Sequence, residues 1–580
     1  MDDRTDHATR TASTGPDAAR QTTSAWPGTS AGEHPRPAAN TRVEHAAPAG
    51  PGAPDEEWTL PARAAWHART RPDHVAVVCE DRALTYARLH RESNRTARAL
   101  LAAGLRPGAR VGYLGRESEY YYDLALGCAK AGTVLVPVNW RLTAPEVDHV
   151  LRDSGAELLF AEGEYLDKVA ALRGDLPGLR HVVRMDGPGH LAEGFLAWKA
   201  GLPDTDLPIT ARPGDPVAQL YTSGTTGLPK GVVLPHRTFF TFIADTRREG
   251  VDWIDWRPDD RGLCCFPGLH TAGFGWFMHS FNAGATTVMM RSFVPDEAAR
   301  LIERHAITTM WAAPAMLRML LTERGVTRET FRTLRKVVYS GSPIDRELLL
   351  TCIDMLGCDL AQGYSSAEAG SFVTCLAPSD HTPDSTVLGS AGRICPGNEI
   401  KIMDEDGSPL PPGEIGRVAV RSPGRFLGYW RRPEETTAVL KDGWLHMGDT
   451  GYLDRDGYLY LLDRINDTII VAGQNIYPVE VENAVRDHPA VAEVAVFGVP
   501  DPRWGEAVRA AVVLHPGRRA TPRELMKFLQ GRLAGFKIPT GYLFVDRLPR
   551  NPTGKLLRRV LRDQHAPAPA APAAPVSTGG

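Results

Sequence analysis

Short apolar runs alternate with amphipathic segments along most of this chain. The runs predict buried strands at 75–79, 110–114, 308–311, 336–339 and 359–362, and the amphipathic stretches between them predict helices at 86–103, 118–131, 296–304, 315–322 and 344–356. Such alternation indicates βαβ units around mostly parallel sheets. The pattern changes at 390–465, where Asp404-Glu405-Asp406-Gly407 and Asp454-Arg455-Asp456-Gly457 read as hairpin turns in a β-rich subdomain. Near Asp463–Asp467 the chain restarts as a compact α+β unit: strands at 469–471, 491–499, 508–514 and 544–546, and helices at 478–486 and 521–533.

With 580 residues the chain is too long for one core. Residues 1–57 and 564–580 are rich in Ala, Pro, Thr, Gly and Ser and lack large apolar side chains, so both ends are expected to be disordered. A net charge of −3 gives no electrostatic case for nucleic acid. There is no apolar run long enough for a membrane span, and the acidic start does not read as a secretory signal. The 8 cysteines form no CxxC pair, which suits a reducing cytosol without structural zinc, and Cys264-Cys265 reads as a pair of buried thiols.

The chemistry is concentrated in Tyr221-Thr222-Ser223-Gly224-Thr225-Thr226-Gly227-Leu228-Pro229-Lys230-Gly231, a loop between the apolar runs 217–220 and 232–234. Its glycines allow close backbone approach, its hydroxyls and N–H groups can wrap an anion, and Lys230 adds a positive point charge. That suits polyphosphate. It is not a Walker A loop, because Pro229 replaces the second glycine and no Ser or Thr follows Lys230. No GxSxG, HExxH or GxGxxG occurs to suggest a hydrolase, a zinc protease or a dinucleotide enzyme.

Further motifs follow in order. They are Gly268-Leu269-His270-Thr271-Ala272-Gly273, Tyr339-Ser340-Gly341-Ser342-Pro343 and Gln362-Gly363-Tyr364-Ser365-Ser366-Ala367-Glu368, then Gly448-Asp449, Arg464, the stretch Gly473-Gln474-Asn475-Ile476-Tyr477-Pro478-Val479-Glu480-Val481-Glu482, and Pro549-Arg550-Asn551-Pro552-Thr553-Gly554-Lys555-Leu556. Taken singly, Asp449 is a turn aspartate, Arg464 a surface arginine and Lys555 part of a solvated basic end. Taken together, the set resembles the adenylate-forming superfamily: acyl-CoA synthetases, peptide-synthetase adenylation domains and beetle luciferases.

The resemblance implies an α/β fold, with a large N-terminal domain (58–465) of mostly parallel sheets, helices and the β-rich subdomain, then a small mobile α+β C-terminal domain (466–563). It implies ATP held by Thr222, Ser223, Gly224, Thr225, Thr226, Gly227 and Lys230, and adenine and acyl sites lined by Gly341, Ser342, Gln362, Gly363, Tyr364 and Ser365. It implies a ribose contact from Asp449, a second ribose or phosphate contact from Arg464, Mg²⁺ on Glu368, and His270 beside the substrate carboxylate. Gly473 belongs to a turn that reaches the site in the thioester step, Lys555 serves adenylation, and Asn466 holds the hinge position. Ala367 departs from the usual Thr, leaving Ser366 as the alternative source of a hydroxyl. Phe274, Trp276, Met278, Trp311 and Met316 are candidates for the acyl wall or for plain core.

The expected reaction joins a fatty or other hydrophobic carboxylic acid to AMP and then to the thiol of CoA, in the cytoplasm. A carrier-protein phosphopantetheine arm is the alternative acceptor, and a luciferase-type oxidation the alternative class. Lys555→Ala should abolish acyl-AMP formation from ATP and spare thioester formation from supplied acyl-AMP. The lysine neutralises charge only while phosphorus is attacked, so single-turnover assays of the two half-reactions check the role; equal loss in both would count against it.

Overall fold

In a computed structural model of the protein, the described residues are 58–170, 176, 178–186, 193–222, 229–251, 255–342, 344–464, 467, 469–471, 474–501, 505–533, 535–550 and 556–565. Two largely parallel sheets dominate. The 9-stranded sheet runs, in spatial order, Arg393–Ile394, Thr374–Leu376, Asp359–Tyr364, Lys336–Ser340, Thr309–Ala312, Arg261–Cys264, Thr286–Met289, Val75–Cys79 and Arg82–Thr85. Its interior pairs are parallel, and antiparallel strands close both edges. The 7-stranded sheet runs Gly428–Tyr429, Lys230–Pro235, Pro216–Thr222, Val134–Val138, Arg110–Leu114, Ala156–Ala161 and His181–Arg184. One large apolar core joins the two, containing Val77, Val337 and Leu360 from the first and Val111, Leu135, Leu220 and Val232 from the second.

The sequence signals have local causes. Ser118 is the N-cap of helix Glu119–Ala131, its hydroxyl accepting from the Tyr121 N–H, and Gly132 ends the helix at φ +70. A 5-stranded antiparallel sheet forms the β-rich region, built from Glu399–Met403, Gly416–Arg421, Trp444–Leu453, Leu440–Lys441 and Leu459–Arg464. Residues 469–561 bury their own apolar clusters around Val496, Val512 and Leu525, and around Phe497 and Leu561. Two expected elements differ. The last strand is Gly541–Phe544, earlier than 544–546, because it pairs in parallel with Arg509–Val512. Helix Pro522–Leu529 stops short of 533, since Gln530 turns extended at ψ 129. All the cysteines are free thiols, and burial pushes that of Cys265 up to about 12.

One buried cluster fixes the turn that follows strand Arg261–Cys264. Glu117, 2% exposed, accepts the Tyr122 hydroxyl at 2.5 Å on Oε1 and the Gly268 N–H at 2.6 Å on Oε2. The Tyr121 hydroxyl donates to the Gly268 carbonyl at 2.7 Å. Both polar groups of the Gly268 backbone are thus held, and a Cβ there would lie 2.6 Å from the Tyr121 ring. Burial pushes the Glu117 carboxyl up to about 7, against the hydrogen bonds from Tyr122 and Gly268 and the charge of Arg291, which all favour ionisation. The native state therefore keeps this proton between about 4.5 and about 7 while the unfolded chain has lost it. Stability falls as pH rises through that window. Glu117→Gln should flatten this slope, as read from denaturant midpoints across the same window. An unchanged slope would show that another group titrates there.

Candidate active site

Two parallel strand ends meet a helix N-terminus. Strand Lys336–Ser340 ends at Gly341, whose φ of +91 suits glycine, and strand Asp359–Tyr364 runs beside it with Tyr339 opposite Gln362 and Ser340 opposite Gly363. Helix Thr271–Ala283 points its first turn at the same place. Between them lies a cavity of about 230 Å³. Thr222, Gly341, Ser365, Ser366 and Ala367 border it together with His270 and Thr271. Its remaining wall includes the aromatic rings of Phe239, Phe242, Phe266, Trp311 and Phe372, with Met278 and His279, and the hydroxyl residues Thr238, Ser340 and Ser371.

His270 is the N-cap residue of that helix, and its Nε2 is buried without a hydrogen-bond partner among the described residues. Burial, and to a lesser degree Arg141, pull its pKa down to about 4, so the imidazole is neutral at pH 7. The Tyr364 hydroxyl donates to Asp449 Oδ2 at 2.5 Å. Asp449 follows Gly448 at φ +76, and in the sheet register Arg464 stands directly across from it. Glu368 accepts the Tyr429 hydroxyl at 2.8 Å. Lys230 forms an ion pair with Glu435, and its Nζ lies 5.4 Å from the Tyr429 ring centroid.

Of the described expected site residues, Thr222, His270, Gly341 and Ser365 line the cavity. A Cβ on Gly363 would come within 2.1 Å of the Phe372 ring, so this glycine makes room for a cavity wall. Gln362 and Ser342 are not among the residues lining the cavity. Ser366 Oγ accepts the Ala369 N–H at 3.2 Å and keeps its O–H as a donor. Of the candidate wall residues, Met278 and Trp311 line the cavity. Phe274 packs against Tyr121, Tyr122 and Phe239, Trp276 donates to the Leu263 carbonyl at 3.1 Å, and Met316 joins the core.

Residues 223–227, Asn466, Gly473 and Lys555 lie outside the described residues, as do the side chains of Asp463 and Arg464. The flanks of two of these positions are described. Thr222 and Lys230 are paired across antiparallel strands. Arg558, just past Lys555, donates to both Glu482 oxygens at 2.8 and 2.9 Å, while Glu482 also accepts the Val496 N–H at 2.8 Å. The carboxylate that ends the 473–482 motif thereby anchors the start of helix Arg558–His565.

Residues 64–430 match the AMP-binding enzyme family, and residues 480–555 match the AMP-binding enzyme C-terminal domain. The chain belongs to this family. It is 52% identical over 507 residues to the fatty acid–[acyl-carrier-protein] ligase ScoC of Streptomyces coeruleorubidus, covering 87% of this chain and 96% of that one. It is 37% identical to a feruloyl-CoA synthase of an Amycolatopsis species, covering 85% and 96%. Among solved structures it resembles ATP-bound MatB from Rhodopseudomonas palustris at 30% identity with a TM-score of 0.80, covering 87% of this chain and 98% of that one. This adenylate-forming enzyme is an AMP-forming acid-thiol ligase.

Sequence reasoning missed Phe239, Phe242, Phe372, His279 and Tyr429. A usable signal existed for part of the set. Thr271, Gly275, Met278 and His279 recur at helical spacing, and all four line the cavity. Gly275 leaves space there: a Cβ would touch only Trp311, at 3.9 Å. Gly275→Ala should therefore raise stability by about 0.5–1 kcal/mol, since glycine weakens a helix interior. Gly275→Leu should fill the cavity and lower kcat/KM for longer acids by about tenfold or more, each ~1.4 kcal/mol of lost binding giving tenfold. An unchanged chain-length profile in the leucine variant would mean that the acid binds elsewhere.

Proposed function

We propose that this ligase activates a hydrophobic carboxylic acid as its acyl-adenylate and passes the acyl group to the phosphopantetheine thiol of an acyl carrier protein. The 52% identity to a carrier-protein ligase carries the choice of acceptor. Relatives named for CoA stand lower, at 37% and 34%. The sequence alone favoured CoA on the form of the 473–478 turn, yet a carrier protein presents the same arm.

In this reading the acid lies in the aromatic cavity with its carboxylate at His270. A neutral imidazole orients the carboxylate without pairing with it as a cation, which leaves the oxygen nucleophilic. The carboxylate oxygen attacks the α-phosphorus of ATP, the P–O bond to pyrophosphate breaks, and acyl-AMP remains. Thr222 and the 223–227 backbone cradle the phosphates, with Lys230 leaving Glu435 to meet them. The Tyr364 ring borders adenine, while its hydroxyl fixes the Asp449 carboxylate for the ribose. Lys555 neutralises charge developing on the phosphoryl oxygens. The thiol then attacks the acyl carbon and expels AMP.

No cluster of three or more candidate metal ligands occurs among the described residues. One carboxylate plus substrate phosphates is the usual magnesium arrangement, however, and Glu368 fits it. Bound there, the ion would offset phosphate charge. The free, mostly buried thiols fit a reducing cytosol, and no described helix is long and apolar enough to cross a membrane.

Acyl transfer with CoA and with a holo carrier protein, at matched concentrations and after pyrophosphate release has identified an accepted acid, tests the proposal. Efficient carrier acylation with little acyl-CoA is expected. Robust acyl-CoA formation with an unmodified carrier would reverse the assignment.

A further inference from the structure

The far wall of the cavity holds a histidine that the adenylation reading does not use. His279 lies on helix Thr271–Ala283, about 13 Å beyond His270 along the axis at ~1.5 Å per residue. It is 9% exposed and lines the cavity. Among the described residues it makes no hydrogen bond. Its surroundings are rings: Phe242 edge-on at 5.6 Å, Trp276 at 6.4 Å, and Phe372 nearly parallel to it, also at 6.4 Å. Leucine or methionine at this helix position would complete an apolar wall without leaving a polar group to satisfy.

Water in the open cavity can satisfy an imidazole. An acid that fills the cavity displaces that water, and a ring nitrogen left unpaired against a hydrocarbon tail bears its full desolvation penalty. A purely aliphatic acid therefore suits this wall poorly. We propose that His279 is a specificity residue that hydrogen-bonds a neutral polar group, such as a hydroxyl, carbonyl, ether or amide oxygen, at the end of the acid away from its carboxylate. Burial pulls the His279 pKa down to about 4, so at pH 7 the ring is uncharged and can both donate and accept. An uncharged ring among aromatic side chains gives no counter-ion to a second carboxylate, so dicarboxylic acids are rejected. His270 takes the reacting end and His279 the distal end, with Gly275 between them leaving room for the chain.

The inference rests on the acid occupying this cavity, and the test separates the two. Pyrophosphate release is measured with straight-chain alkanoates, butanoate to dodecanoate, and with their ω-hydroxy and ω-carboxy counterparts of equal chain length. The wild type should favour an ω-hydroxy acid over its matched alkanoate by about tenfold or more in kcat/KM and leave the ω-carboxy acids unused. His279→Leu should invert the preference for the pair, and His279→Gln, which keeps a hydrogen-bonding group, should retain part of it. If the wild type prefers the plain alkanoates and His279→Leu leaves every ratio unmoved, the specificity role is overturned while cavity binding stands. If Gly275→Leu also leaves the chain-length profile unchanged, cavity binding itself fails. Should the leucine variant not fold, the glutamine variant alone decides: an unchanged ratio with accelerated or slowed turnover for all acids alike overturns the proposal.

Discussion

The site depends on the short segment from Phe426 to Trp430, which ties the two large sheets together where the loops meet. The Phe426 N–H donates to the Glu368 carbonyl at 2.9 Å, the Leu427 N–H to the Val233 carbonyl at 2.8 Å, and the Trp430 N–H to the Gly231 carbonyl at 2.8 Å. The Tyr429 hydroxyl then reaches the Glu368 carboxylate. One face of this segment is therefore an edge strand against Lys230–Pro235, and the other holds the turn that carries the candidate metal ligand. Gly428 at φ +144 is confined to glycine, with Thr436 at 3.0 Å from the position of a Cβ. This joint adds to the apolar core that the two sheets share, at the point where their loops approach each other.

Electrostatics at the joint follow from the same economy. Polyphosphate needs positive charge, but an isolated cation near apolar walls is costly to desolvate. Lys230 is held by Glu435, whose carboxyl is kept below its usual range first by that lysine and then by Arg432. In the proposed reading the lysine is thus positioned in advance, and an incoming phosphate only has to exchange one anionic partner for another. Deeper in, the histidines are kept neutral by burial, so the acid meets hydrogen-bonding groups and not charge.

Much of this was legible in the sequence, for identifiable reasons. Strands such as Val75–Cys79 and Arg110–Leu114 are short apolar runs between polar turns, and the structure has them at the expected bounds. Motif residues Tyr364, Glu368 and Asp449 could be assigned roles because their types match the chemistry. Most positions of helix Thr271–Ala283 are apolar, so the helical spacing of Thr271, Gly275, Met278 and His279 stands out only once the cavity they line is known. Without the helix, Phe274 and Trp276 could not be told from Met278 as wall or core. Phe239 and Phe242 lie past the Tyr221–Gly231 motif with no signal of their own, and Phe372 enters the cavity because Gly363 vacates the space, a contact that spacing along the chain does not encode. Glu117 had no signal at all: its meaning lies wholly in which backbone amide it meets.

The two specificities of this enzyme have separate physical origins. In the proposed reading the acid is selected inside the core, by walls from helix Thr271–Ala283, from strand Thr309–Ala312 and from the Phe372 turn, all anchored in one apolar cluster. The acceptor thiol brings its own macromolecule, a nucleotide or a folded carrier, which no cavity of this size can enclose and which must be met at the surface. Residues 469–561 bury separate cores, and the Glu482–Arg558 pair fixes the 473–482 motif to the helix after Lys555. In the proposed reading that unit supplies both the adenylation lysine and the thioester turn. Changes at its surface can exchange one acceptor for another while leaving the buried walls, and hence the choice of acid, untouched. Relatives named for CoA and for a carrier protein can accordingly share one fold and one activation chemistry.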